Sequence, residues 1–308
     1  PPRSTLFPYT TLFRSLIAIT GQVGTNVIGS DAFQETPIVE GSRPITKHHY
    51  LGQRTEDIAR VMKEAFHIAT TGRPGPVIVD IPKDVQNRSI LPDYDPPMNL
   101  PGYMPFRQAS RTQLEQIFGM IRQSKRPIVY AGGGVIAAGA APMLKTFVEK
   151  TGIPVALTVH GLGAFPGKHY LCLQMLGMHG TIYANYAINE ADLLLALGVR
   201  FDDRVTGKVS EFAKHGKIVH IDIDPSEINK IKTAALPICG DVRQALADML
   251  TMIEEDPTRV PPASQYEGWM QPVDKRRDEE PLRFADREDA IVPQYAIHRL
   301  WEIVRDRG

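Results

Sequence analysis

The stretch Pro127–Ala140, PIVYAGGGVIAAGA, decides the fold class. Pro127 to Ala131 is a short apolar run of strand length. Gly132, Gly133 and Gly134 end it, and a helical pattern follows to about Lys150. Working outward, Pro154–Val159, Leu193–Leu197 and Ile218–Ile223 are further strand-like runs. Helical patterns lie between them; Thr112–Arg122 precedes the set and Val242–Ile253 closes it. Strands that alternate with helices predict a parallel sheet covered on both faces. Residues 110–255 therefore read as a complete Rossmann-like α/β domain.

A second α/β pattern lies upstream. Leu16–Thr20 is a short apolar run. Ile58–Ala69 carries Ile58, Val61, Met62, Ala65, Phe66 and Ala69 at the three-four spacing of an amphipathic helix. Val77–Ile81 is β-branched and broken only by Asp80, as in a buried parallel strand. Residues 16–90 read as part of an α/β domain. Residues 91–109 and 256–285 are rich in proline and read as linkers. Residues 286–308 begin a further domain, with a helix expected at Pro293–Val304. Pro1–Ser15, PPRSTLFPYTTLFRS, has no helical or strand period. It resembles translated sequencing-adapter text and is set aside as a non-native extension. The expectation is a chain truncated at both ends.

Composition excludes several classes. Lys+Arg and Asp+Glu are 35 each, so the formal net charge is zero. That argues against nucleic acid as a partner bound through a general basic field. The longest apolar runs are far shorter than the roughly 20 residues of a membrane span, so no membrane partner is expected. Cys172 and Cys239 match no zinc spacing, and a disulfide scaffold is excluded. A reduced, cytoplasmic location is the default expectation.

Gly132-x-Gly134-x-x-Ala137 fits the lenient dinucleotide fingerprint, in which glycines let phosphate approach the backbone. A strand-to-helix turn that needs only glycine torsions reads equally well. The acid expected about 20 residues on is missing, which disfavours a standard NAD site. Asp222 sits at a strand end where it could accept from a ribose. Asp224, Pro225 and Glu227 fit the N-cap, first and third positions of a helix. Arg200 and Arg204 could hold phosphates or pair with Asp202 and Asp203. His48-His49 is an adjacent pair that shares no helix face, and is discarded as a metal site. No metal ligand set is read.

Five strings carry a family resemblance: GQVGTNVIGSDAFQE at 21–35, ITKH at 45–48, GRPGPVIVDIPKD at 72–84, MLGMHGTIYANY at 175–186 and GVRFDDRVTG at 198–207. In this order they closely resemble the large catalytic subunit of the acetohydroxyacid (acetolactate) synthase family. The resemblance covers nearly all of residues 16–308. It implies a partial thiamine pyrimidine-binding domain, a central FAD-binding domain and the start of a pyrophosphate-binding domain. It further implies thiamine diphosphate, Mg2+ and FAD as cofactors, with pyruvate and 2-oxobutanoate as substrates. The implied role is a transferase step in the synthesis of valine, leucine and isoleucine, with FAD not used for net redox. The implied assembly is a homodimer or tetramer with a small regulatory subunit.

Residue roles follow from the same resemblance. Gln22, Phe33, Gln34, Lys47 and Lys83 would line the substrate channel. Arg73 would contact FAD. So would Gly132, Gly133 and Gly134; Thr158, Val159 and His160; His179, Gly180, Gly198, Arg200, Asp202 and Arg204; and Asp222, Ile223 and Asp241. The family's activating glutamate and its GDG metal motif match nothing in these 308 residues, so the catalytic set is empty here and the chain by itself is expected to be inactive. Glyoxylate carboligase and pyruvate oxidase share the three-domain plan, but the AFQE and HGTxYANYA strings favour the synthase. A non-catalytic FAD-binding module is the reading from another class.

Overall fold

A computed structural model of the chain describes residues 15–91, 93–105, 108–285, 287 and 289–305. The extension expected at Pro1–Ser15 falls outside the described residues except for Ser15, as do Pro92 and the last three residues. The chain divides into two compact units. The first holds the described residues up to Gln108, with Ile223–Pro225 and Cys239–Asp241. The second holds Ala109–Asp222, Ser226–Ile238 and the described residues from Val242.

The first unit runs β1 (Leu16–Gln22), α1 (Ile38–Ser42), β2 (His48–Leu51), α2 (Ile58–Thr70), β3 (Pro76–Pro82) and α3 (Lys83–Asn87). Its sheet has the order β1-β3-β2, all parallel. β3 is central, so nearly all of it is buried, as its β-branched run broken only by Asp80 predicts. Val61, Ala65, Ile68 and Ala69 of α2 pack with Val77 and Val79, and Met62 lies against them; of the stripe read from the sequence Phe66 instead faces solvent, 60% exposed, and Ile68 takes a core place that reading did not give it. His48 and His49 lie in a strand, so the helical-face argument used to discard them does not apply. The proline-rich segment is anchored within this unit: Leu100 and Tyr103 pack against the α2–β3 cluster, and the Asn99 N–H donates to Glu64 at 2.7 Å.

The second unit runs α4 (Arg111–Gln123), β4 (Pro127–Ala131), α5 (Gly133–Ala137), α6 (Ala141–Thr151), β5 (Val155–Leu157), β6 (Cys172–Met175), α7 (Ile182–Glu190), β7 (Leu193–Leu197), α8 (Asp203–Thr206), β8 (Lys217–Asp222), β9 (Leu236–Cys239), α9 (Val242–Glu255), α10 (Glu267–Glu279) and α11 (Pro293–Val304). Ser110 and Gln113 form a reciprocal capping box at the start of α4. Sheet order is β6-β5-β4-β7-β8-β9. The pairs from β6 through β8 are parallel. Counted from β4, the order is 3-2-1-4-5-6, the doubly wound nucleotide-binding topology. Its switch point lies between β4 and β7. The α/β class with parallel sheets is thus as the sequence predicts.

Three expectations are corrected. The helix expected from the glycine turn to Lys150 is two helices, interrupted at Gly139, whose φ is +63°. Residues 225–229 form turns, so Asp224 caps no helix. Residues 256–285 are no open linker. They contain α10, whose Trp269, Met270 and Val273 are buried in the second unit's core. Pro272 sits inside that helix. An interior proline costs about 3 kcal/mol, which the burial of Trp269 and its neighbours offsets at roughly 1.5–3 kcal/mol per large side chain.

Candidate functional site

In the second unit the candidate residues gather at the carboxyl ends of β4, β5, β7 and β8. Open α/β sheets bind ligands on that edge. Gly132–Gly134 follow β4, Thr158–His160 follow β5, Gly198–Arg200 follow β7, and Asp222 ends β8.

The glycines there are needed first for packing. A Cβ on Gly132 would lie 2.2 Å from Gly198 O, and one on Gly134 would lie 2.7 Å from Gly198 Cα. Gly198 itself has φ +58°. The Gly132 N–H donates to Leu197 O and the Gly134 N–H to Gly198 O, at 3.0 and 3.2 Å. Two of the three glycine amides are therefore engaged within the fold. Helix α5 spans five residues, so little of its dipole reaches a ligand. The turn is a close crossing of the β4 and β7 backbones.

The rim beyond it is partly apolar and solvent-facing. Ile136 is 45% exposed, Val159 60% and Leu162 46%. His160 and His179 are also exposed, while Thr158 accepts from the Gly161 N–H and so caps the turn after β5. Phe201 follows Arg200 with a left-handed backbone, φ +52°. That conformation is strained for a bulky residue. It buries the Phe201 ring among Tyr130, Phe212 and His220, while Arg200 on one side stays exposed and Asp202 on the other half-buried. Arg200 pairs with Asp202 at 3.0 Å. The Arg204 N–H hydrogen bond, helped by the nearby Arg200 charge, holds the Asp202 carboxyl below its usual range. Arg200 and Arg204 thus stand beside carboxylates, as one of the two sequence readings had it.

Asp222 is buried, at 8% exposure. Gly180 is wedged against Leu176, where a Cβ would lie 2.4 Å from backbone. A cavity of about 280 Å³ opens beside α7 and residues 203–212, lined by Met178, Asn189, Arg204, Thr206 and Phe212 among others. It borders Arg204 and the 177–178 turn rather than the glycine crossing.

In the first unit, Arg73 donates to Asp224 at 2.6 Å. Ile223 and Asp241 belong to the same unit. The Lys47 ammonium bonds the carbonyls of Ile68, at 2.5 Å, and Thr71. It therefore closes the C-terminal end of α2, a favourable place for a cation. Lys83 is exposed. The Gln22 amide donates to Thr36 O at 2.7 Å and to Asp80 at 3.2 Å. Phe33 is 90% exposed and Gln34 has φ +67°. Their loop is wound around Glu35, whose carboxylate accepts from the Gly29 and Ala32 amides. Those bonds, that from Gly29 foremost, keep its carboxyl below the usual range.

Sequence reading missed two buried ionisable groups. Glu64 is 1% exposed and accepts from Arg60, Tyr50 and the Asn99 N–H. Burial opposes its charge, but these bonds prevail and hold its carboxyl low. His220 is fully buried in β8, and its Nε2 donates to Val199 O at 2.9 Å. Both positions look like ordinary polar breaks in apolar patterns, so only packing reveals them. Among the described residues, no three His, Cys, Asp or Glu side chains group to hold a metal ion. No helix among them is long and apolar enough to cross a membrane.

Residues 114–249 match the family described as thiamine pyrophosphate enzyme, central domain. Over 293 residues the chain is 52% identical to acetolactate synthase 1, chloroplastic, of Oryza sativa subsp. japonica, covering 94% of this chain and 45% of that protein. Nearly the whole chain is thus similar to acetolactate synthases. Acetolactate synthase, chloroplastic, of Arabidopsis thaliana is 51% identical over 290 residues, or 94% of this chain and 43% of that protein. The tobacco acetolactate synthase 1, chloroplastic, gives the same figures. The chain thus spans less than half the length of the curated relatives it matches. The description of the matched family as a thiamine pyrophosphate enzyme agrees with the resemblance read from the sequence. The cytoplasmic expectation is corrected: these relatives are named as chloroplastic proteins. Cysteine usage alone could not distinguish two reducing compartments.

Proposed function

We propose that this chain supplies a pyrimidine-side domain, residues 16–90, and a flavin-binding central domain, residues 110–255, to an acetolactate synthase. The single observation that carries the reading is 52% identity sustained over 94% of the chain. The proposed activity is a transferase reaction: pyruvate loses CO2 and its two-carbon remainder joins a second pyruvate or 2-oxobutanoate. Thiamine diphosphate, held with Mg2+, supplies the electron sink for that chemistry. We extend the relatives' plastid location and the expected homodimer or tetramer with a regulatory subunit to this chain on the same ground.

FAD fits what the central unit offers. The switch point of a 3-2-1-4-5-6 sheet is a dinucleotide crevice. Its apolar rim at Ile136, Val159 and Leu162 suits a flat ring, and Arg200, Arg204 and Asp222 suit the diphosphate and ribose. Arg73 lies in the first unit, held by Asp224, and is kept as the FAD contact that the resemblance implied. The 132–134 crossing would shape the crevice more than donate to it, since two of its amides are engaged. Gln22, Phe33, Gln34 and Lys83 would face substrate. Lys47, tied to the end of α2, would act on the channel through its loop.

The test joins residues 16–308 to the flanking sequence of the rice relative and assays the product. Acetolactate that depends on thiamine diphosphate and Mg2+ is expected, with FAD retained. Oxygen consumption without acetolactate would favour the pyruvate-oxidase reading. FAD retention with no turnover would favour a binding module.

A further inference from the structure

We infer that α10 is a clamp that positions α7 and the turn before it, with Arg276 as the positioning residue. The segment reads as a linker in the sequence, yet it grips α7 along its length. Arg276 pairs with Glu190, in the last turn of α7, at 2.6 Å. The same guanidinium lies over the Tyr186 ring, 4.6 Å from its centroid. One residue on, Arg277 lies 5.4 Å from the Tyr183 ring centroid and donates to Tyr170 O at 3.1 Å. Asp274 accepts from the Tyr170 hydroxyl at 2.9 Å and pairs with Arg277 at 3.1 Å. Such stacked and forked contacts are specific to arginine.

What α7 carries makes the clamp more than packing. Thr181 caps α7, accepting from the Ala184 N–H and donating to Leu173 O. Asn185 accepts from the Gly177 N–H at 2.9 Å and donates to Gly177 O at 3.1 Å. Gly180 N–H bonds Gly177 O, and Met178 N–H bonds Arg204 O. The 177–181 turn therefore hangs from α7 by side-chain bonds, and it presents exposed Met178 and His179. A shift of α7 moves this turn and leaves the β4–β7 crossing in place. The ligand that senses the shift is the flavin dinucleotide, a point that rests on the reading proposed above.

Arg276 Nη1 is buried without a hydrogen-bond acceptor among the described residues. Replacing Arg276 by methionine removes that desolvated donor along with the clamp, which favours a folded variant. The experiment is hydrogen exchange on the 308-residue chain, comparing wild type with Arg276→Met. The amides of Gly177, Met178, Gly180 and Thr181 should exchange about tenfold faster or more, with β4 and β7 amides unchanged. Arg276→Lys should restore protection only in part. Lys275→Ala, on the outer side of the same helix, should change nothing. Glu190→Gln breaks the ion pair from the other side and decides the matter should Arg276→Met not fold. Unchanged turn protection in both, or uniform loss across the unit, overturns the clamp. FAD titration separates the two claims. Wild type that binds no FAD while exchange responds as stated sinks the flavin reading and leaves the clamp. FAD affinity unchanged despite a loosened turn overturns the positioning role.

Discussion

Replacing Gly198 by alanine puts a methyl group 2.7 Å from Gly134 Cα, 3.0 Å from its carbonyl carbon and 3.2 Å from its nitrogen. All three atoms are backbone, so nothing nearby can swing aside. Two costs combine. An L-residue at φ +58° loses about 1–2 kcal/mol. Forcing a methyl into close-packed backbone adds about 1–3 kcal/mol. The expected loss is therefore about 2–5 kcal/mol. Gly139 isolates the second part. Its φ is +63°, and among the described residues a Cβ there would meet only the flexible tip of Arg243, at 3.4 Å. Gly139→Ala should cost only the backbone share. The assay is urea unfolding followed by Trp269 fluorescence, in a Trp301→Phe background because the chain has two tryptophans. Trp269 is 5% exposed in the same core as β7. Gly198→Ala should lose at least about 1 kcal/mol more than Gly139→Ala. Equal losses would refute the claim that this crossing demands glycine for packing.

Arg73→Ala removes the ion pair to Asp224. The proposed charge-assisted bond from Arg73 to FAD would be worth roughly 1.5–3 kcal/mol, so FAD affinity should fall about tenfold or more, read by flavin fluorescence with circular dichroism as the folding control. Unchanged affinity in a folded variant would take Arg73 out of the site. Burial pushes the His220 pKa down, against its bond to Val199 and the Glu227 charge. The unfolded state then binds more protons, so the stability held above about pH 6.5 is lost as pH falls toward the lower folded value. Urea midpoints at pH 7 and pH 5 should differ less for His220→Gln than for wild type; identical pH dependence would clear His220. The 308-residue chain by itself, given pyruvate, thiamine diphosphate, Mg2+ and FAD, should form no acetolactate, and measurable colour in that assay would show the catalytic groups to be present.

The strands β4 and β7 were legible residue for residue because each is a continuous apolar run between polar or glycine breaks. α2 and α4 were legible because their apolar residues recur at three-four spacing. β2 and β6 were not. His48–Leu51 and Cys172–Met175 are four residues long, and their pairing with β3 and β5 comes from the sheet rather than from local propensity. α10 was hidden by five nearby prolines, although only Pro272 falls inside it. Its apolar face, Trp269, Met270 and Val273, has helical spacing that a reading weighted toward proline overlooks. The capping pattern at Asp224 misled for the opposite reason: the local signal was sound, but the carboxylate is engaged by Arg73, 151 residues away in sequence. Among site residues, position at strand ends was legible from Gly132, Gly198 and Asp222. What each group bonds was not, since partners such as Gly198 for Gly134 or Ile68 for Lys47 are set by tertiary approach. Localisation lay outside what cysteine content can decide.

The most direct test of the account is a titration of the purified 308-residue chain with FAD, and with FMN and NAD as comparators, followed by flavin or protein fluorescence. A doubly wound central unit of the kind proposed should bind FAD saturably at one per chain, with FMN, which lacks the adenylate half, and NAD both much weaker. A flat FAD titration from a chain whose circular dichroism shows a folded α/β protein would contradict it.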